Sequence, residues 1–112
     1  MAIFSTHLLN SINGSHARNV KIIIYKINGT DRTIFLEAFT DEGGRLYKEL
    51  SLSKDDCDSD FEMIIKTGNY FNNNDNNIIS EISMKFKMKD PQKKYHIPLM
   101  ISPNSYSVWW SN

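Results

Sequence analysis

The chain has 112 residues, with 13 Lys+Arg balanced by 13 Asp+Glu, three His and one Cys. A chain of this length is read as one domain, residues 1–112, and it buries roughly two thirds of the surface its unfolded form exposes, so it needs no metal or disulfide to hold together. Zero net charge offers no basic excess for nucleic acid or an anionic membrane, and neither is expected as a partner. Cys57 has no internal partner, and the carboxylates of Asp55-Asp56-Cys57-Asp58-Ser59-Asp60 disfavour a thiolate; it reads as an inert loop thiol.

The opening, "MAIFSTHLLN", lacks the basic start and long apolar stretch of a signal peptide, and no run approaches the ~18 apolar residues of a membrane span. The cytoplasm is the expected compartment, which makes the sequons at Asn13 and Asn28 incidental.

Alternation dominates from there on. Val20, Ile22 and Ile24 point one way along one run, Ile34, Leu36 and Ala38 along the next, and Ile82, Met84, Phe86 and Met88 along a third. This is strand periodicity, and the turn signals "NGS", "NGTD", "DEGG", "KDDCDSD" and "KDPQKK" divide the runs as an antiparallel sandwich or barrel requires. Eight strands are predicted, near 3–9, 19–27, 33–40, 45–50, 60–67, 79–89, 94–101 and 104–110, with ends uncertain by ~2 to 4 residues. Between the fifth and sixth, "TGNYFNNNDNN" suits a short helical turn and then a polar loop.

Few residues could do chemistry. No two histidines have the spacing of a zinc site, and no cofactor or metal is expected. His16 follows Gly14-Ser15 in a turn and reads as exposed and idle. His7 and His96 lie inside strands. Tyr95, Ile97, Leu99 and Ile101 share a face that looks like core, which leaves His96, Pro98 and Met100 on the other. Pro98 cannot donate to a sheet ladder, so that face is not the sandwich interior; His7 and Leu9 share a face likewise. Arg45 opens a strand after the Gly43-Gly44 turn.

In order along the chain, Ser5-Thr6-His7-Leu8-Leu9 is similar to an S-T-H-V-L-D motif, Gly14 and Ala17 to a G-x-P-A turn without its proline, and Thr40 to Arg45 to T-x-x-D-G-R. Thr67-Gly68-Asn69-Tyr70-Phe71 is similar to T-G-x-Y-F before a short helix, and Tyr95 to Pro103 to the Y-H-x-P-L region. Together they resemble the transthyretin-like family on its 5-hydroxyisourate hydrolase branch. The resemblance implies an all-β sandwich of two four-stranded antiparallel sheets with one short helix after the fifth strand. It implies a homotetramer with sites in a channel at the dimer–dimer junction, and an oxidised purine of urate degradation as the small-molecule substrate. It assigns catalysis to His7, Arg45 and His96 and substrate contacts to Ser107, Trp109 and Asn112, with Trp110, Tyr106 and Val108 turned inward.

The tail departs from the family: Trp109-Trp110-Ser111-Asn112 stands where the enzymes carry Y-R-G-S. Metal-free opening of a cyclic amide needs a base for the attacking water and positive charge near the oxyanion, which the two histidines and Arg45 would supply. A channel that binds a small molecule without turning it over is the alternative, and an immunoglobulin-like interaction module is a third.

Overall fold

Along the first strand every second side chain is buried. Ala2, Phe4, Thr6, Leu8 and Asn10 face inward, while Ile3, Ser5, His7 and Leu9 stand on the opposite face, the period-two geometry of a pleated strand. The computed structural model, which describes residues 1–72 and 76–110, repeats this device around two sheets. The strands are β1 (Ala2–Asn10), β2 (Lys21–Asn28), β3 (Asp31–Phe39), β4 (Arg45–Leu50), β5 (Asp60–Ile65), β6 (Ile82–Lys87), β7 (Lys94–Ile101) and β8 (Tyr106–Val108). The first sheet has the order β4-β1-β7-β8 and the second β3-β2-β5-β6.

All pairs are antiparallel but one: β1 runs parallel to β7. The expectation of two antiparallel sheets is corrected at that pair, where a long crossover rather than a hairpin brings the partner strand in. The sheets close on a core that includes Phe4, Ile22, Ile24, Phe61, Met63, Ile65, Leu99 and Ile101. Phe61 sits at its centre, edge-on to Phe35 at 4.9 Å and tilted against Phe86 at 5.9 Å.

Two local departures have physical causes. Ile34 is 58% exposed rather than sharing a buried face with Leu36 and Ala38. Pairing shifts between Ile24↔Leu36 and Tyr25↔Ile34, making Phe35 the extra residue of a β-bulge; Phe35 and Leu36 both pack on the core and Ile34 turns outward. The acidic stretch read as a turn contains a helix, α1 (Lys54–Asp58), started by a capping box. Ser53 Oγ accepts from Asp56 N at 3.0 Å, and Asp56 Oδ2 accepts from Ser53 N at 2.9 Å. Lys26 ties α1 to the sandwich through Asp55 and Asp56. β6 and β8 are also shorter than predicted. The helical turn after β5 is α2 (Thr67–Tyr70).

Cys57 lies in α1, where desolvation first and then the charges of Asp56, Asp58 and Asp90 push its thiol pKa up. Among the described residues no helix is long and apolar enough to cross a membrane.

Candidate functional site

The outward face of the first sheet is organised in rows that run across its strands. His7 is paired with Arg45 on β4 and Pro98 on β7, and the Trp109 N–H donates to the Pro98 carbonyl at 3.2 Å. Arg45, His7, Pro98 and Trp109 therefore form one row. The next row holds Tyr47, Ser5 and His96, and on the far side of the first lie Leu9, Met100 and Ser107. Period two in β1 and β7 places both histidines on this face.

Turn chemistry sets Arg45. Asp41 Oδ1 accepts from the Gly43 and Arg45 N–H groups, each at 2.9 Å, an Asx-type closure that starts β4 at this residue. Gly44 has φ +72°, and a Cβ there would lie 2.5 Å from the Leu8 carbonyl oxygen and 3.3 Å from His16 Cβ. Only glycine lets the turn pack so closely on β1 and the loop after it.

Each strand histidine has a polar partner. Ser5 Oγ and His96 Nδ1 are 2.7 Å apart, which holds the ring and leaves Nε2 as its outward nitrogen. His7 Nε2 lies 2.9 Å from His16 Nδ1, with the rings stacked at 5.1 Å and 24°. The reading of His16 as idle is thus corrected: the loop after β1 folds back and brings it onto His7. Desolvation, then the charges of Arg45 and His16, and to a lesser degree His96, hold the His7 pKa below 6.5, against the opposing effect of a hydrogen bond to the Gly43 backbone carbonyl. His7 is thereby biased toward its neutral, basic form near pH 7.

Among the described residues no ion pair involves Arg45, and no group of three or more His, Cys, Asp or Glu could hold a metal.

The remaining predicted contacts are distributed differently. Ser107 sits beside Met100, one row away from His7 and two from His96. Trp110 packs at 5.7 Å from Tyr95 and, with Val108, Met84, Phe86 and Ile97, borders a cavity of about 260 Å³ at the open end between the sheets. Trp109 borders the same cavity, so its indole straddles the sheet edge instead of standing wholly on the histidine face. Asn112 lies outside the described residues. Ser5 and His16 are the site residues that sequence reading did not single out.

This sandwich, with two histidines and an arginine on one outward sheet face, defines a class, and the chain belongs to the HIUase/Transthyretin family, whose model matches residues 4–110. Among its relatives, 5-hydroxyisourate hydrolase of Salmonella dublin is 30% identical, over 96% of this chain and 79% of that protein. The Pseudomonas aeruginosa enzyme of the same name is 24% identical, over 97% of this chain and 90% of its own. Of solved structures, Klebsiella pneumoniae 5-hydroxyisourate hydrolase superposes with a TM-score of 0.80 at 19% identity, covering 100% of both chains. Sea bream transthyretin in complex with thyroxine gives 0.79 at 17% identity, over 96% of this chain and 93% of that one. An (S)-allantoin synthase structure gives 0.81 at 21% identity, and there this chain spans 44% of the longer one.

Proposed function

We propose that this protein hydrolyses 5-hydroxyisourate, opening its cyclic amide in the degradation of urate. The observation that carries the reading is a polar cluster: Arg45 and two strand histidines share one face, and among the described residues no carboxylate is ion-paired to the guanidinium. A planar, polar substrate with a carbonyl to be attacked suits such a face. Kinship with named hydrolases over nearly the whole chain supports the same reading.

In the reaction a water oxygen bonds to the amide carbon while an imidazole takes the water's proton. The carbon–nitrogen ring bond then breaks, an imidazolium returns a proton to the departing nitrogen, and the proton taken from water restores that imidazolium, closing the cycle. His7, biased toward neutrality, is suited to the first task. His96, fixed by Ser5, is suited to the second. Arg45 anchors the substrate and stabilises the oxyanion through its planar fork of donors. Trp109 and Ser107 would form the substrate wall.

The protein would act in the cytoplasm as a homotetramer whose channel is built from these faces. Exposed apolar side chains on that face support an assembly that covers them: Tyr47 is 57%, Met100 41% and Trp109 45% exposed.

The test generates 5-hydroxyisourate in situ from urate and follows its ultraviolet decay with and without the protein. Accelerated decay is expected. Decay at the spontaneous rate would overturn the hydrolase reading in favour of a non-catalytic small-molecule binder, which the tryptophan tail favours.

A further inference from the structure

The loop between β1 and β2 does more than connect strands. Gly14, at φ +75°, turns the chain back, the Gly14 N–H donates to the Asn10 carbonyl at 2.8 Å, and the Ala17 N–H donates to the Leu8 carbonyl at 2.9 Å. Leu9 and His16 become bridge partners. Residues paired across a bridge project to the same face, so His16 is delivered to the face that Leu9 shares with His7. The close approach of Gly44 to His16 Cβ, argued above, holds the loop from the other side.

An N···N hydrogen bond needs one nitrogen with its hydrogen and one with its lone pair, so His7 Nε2 and His16 Nδ1 carry one proton between them. We propose that His16 is a positioning residue, fixing the imidazole of His7 on the outward face through that shared proton; its part in turnover rests on the hydrolase reading. Position 16 falls at the proline of the G-x-P-A turn, and proline could make no such bond, so the device belongs to this chain's own sequence.

The charged groups facing His7 limit what the pair can do. Arg45 comes from β4, His96 from β7 and His16 from the loop, while the nearby Asp41 carboxylate is held by backbone N–H groups of its own turn. A second proton would break the hydrogen bond and add a cation beside Arg45. Protonation of His7 is therefore opposed by the neighbouring charges, that of His16 among them.

The test uses the full chain labelled with nitrogen-15. Imidazole resonances are followed from about pH 5 to 9, bracketing the ordinary histidine range, and hydrolysis is measured alongside. In the parent, the His7 signals should move below the ordinary histidine midpoint of 6.5. In His16→Asn the amide can still bond to His7 but cannot titrate, so His7 should show one step at higher pH, with kcat largely retained. In His16→Phe the stack can persist without the bond, and kcat should fall about tenfold with KM little changed, within the range that misplacing a reacting group produces.

A His7 titration identical in parent and His16→Asn would overturn the proposal, as would a full kcat in His16→Phe. A His7 titration that moves between parent and His16→Asn, with no hydrolysis in the parent, supports the positioning of His7 while the hydrolase reading fails. Hydrolysis with an unmoved His7 titration leaves that reading standing and overturns this one.

Discussion

The outward faces of the two sheets handle charge in opposite ways. On the second sheet, Lys21 pairs with Glu37 at 3.2 Å, Arg32 with Glu62 at 2.7 Å, and Lys87 with Asp60. Glu62 also accepts from Ser83 at 2.7 Å, and the Arg32 guanidinium lies 4.1 Å over the Tyr25 ring. On the first sheet, Arg45, His7 and His96 stand together, and among the described residues the guanidinium has no acidic partner. The Arg45 charge opposes a proton on His7, an opposition that the paired charges of the second sheet do not carry. A face left in that condition is one on which a polar ligand supplies the missing interactions.

Breaking the unpaired face should have the largest effect. Arg45→Ala or His96→Ala is expected to lower hydrolysis by about 100-fold or more while the melting temperature stays near that of the parent. A mutant near full rate is wrongly placed in the chemistry, and one that unfolds shows that the face contributes to stability after all. Ser5→Ala releases Nδ1 of His96 and should lower kcat about fivefold to tenfold, within the range of one ordinary hydrogen bond. An unchanged kcat would make the 2.7 Å contact incidental.

Acid should find the same face. Because the folded-state pKa of His7 lies below 6.5, the unfolded chain binds more protons between those values. Stability contributed by neutral His7 is therefore complete above about pH 6.5 and is lost as pH falls toward the depressed pKa. His7→Gln should flatten this part of the melting temperature profile; a profile of the parent's slope would assign the acid loss elsewhere. The smallest effect belongs to the paired face. Glu62→Gln should cost less than about 1 kcal/mol in denaturant unfolding, the ordinary worth of an exposed ion pair, and leave hydrolysis untouched. A large loss there would erase the contrast between the sheets.

Much of the architecture was legible because period two is a property of the backbone. Buried Phe4, Ile22, Ile24, Leu99 and Ile101 recur at strand spacing, and the same count puts His7 and His96 opposite them. Other features lay outside any local pattern. The bulge at Phe35 depends on how β3 meets β2, and the capping box at Ser53 lay within residues that also spell a turn. The Ser5–His96 contact follows from a parallel register that no hairpin fixes. His16 was missed because its role requires a loop to cross over Gly44, a distance relation that spacing along the chain does not encode.

The parallel pairing of β1 with β7 also places the site in time. Ser5 and His96 are separated by 91 residues, so the first strand emerges during synthesis well before its inner partner exists. Chains grow at roughly 5–20 residues per second, which leaves β1 waiting for several seconds with only β4 to pair along one edge. Contacts of such high sequence separation form late and slowly. The face that carries both histidines would thus be among the last parts of the molecule to assemble, and a nascent chain cut before β7 would carry His7 on a strand whose other edge is open to any passing β-strand.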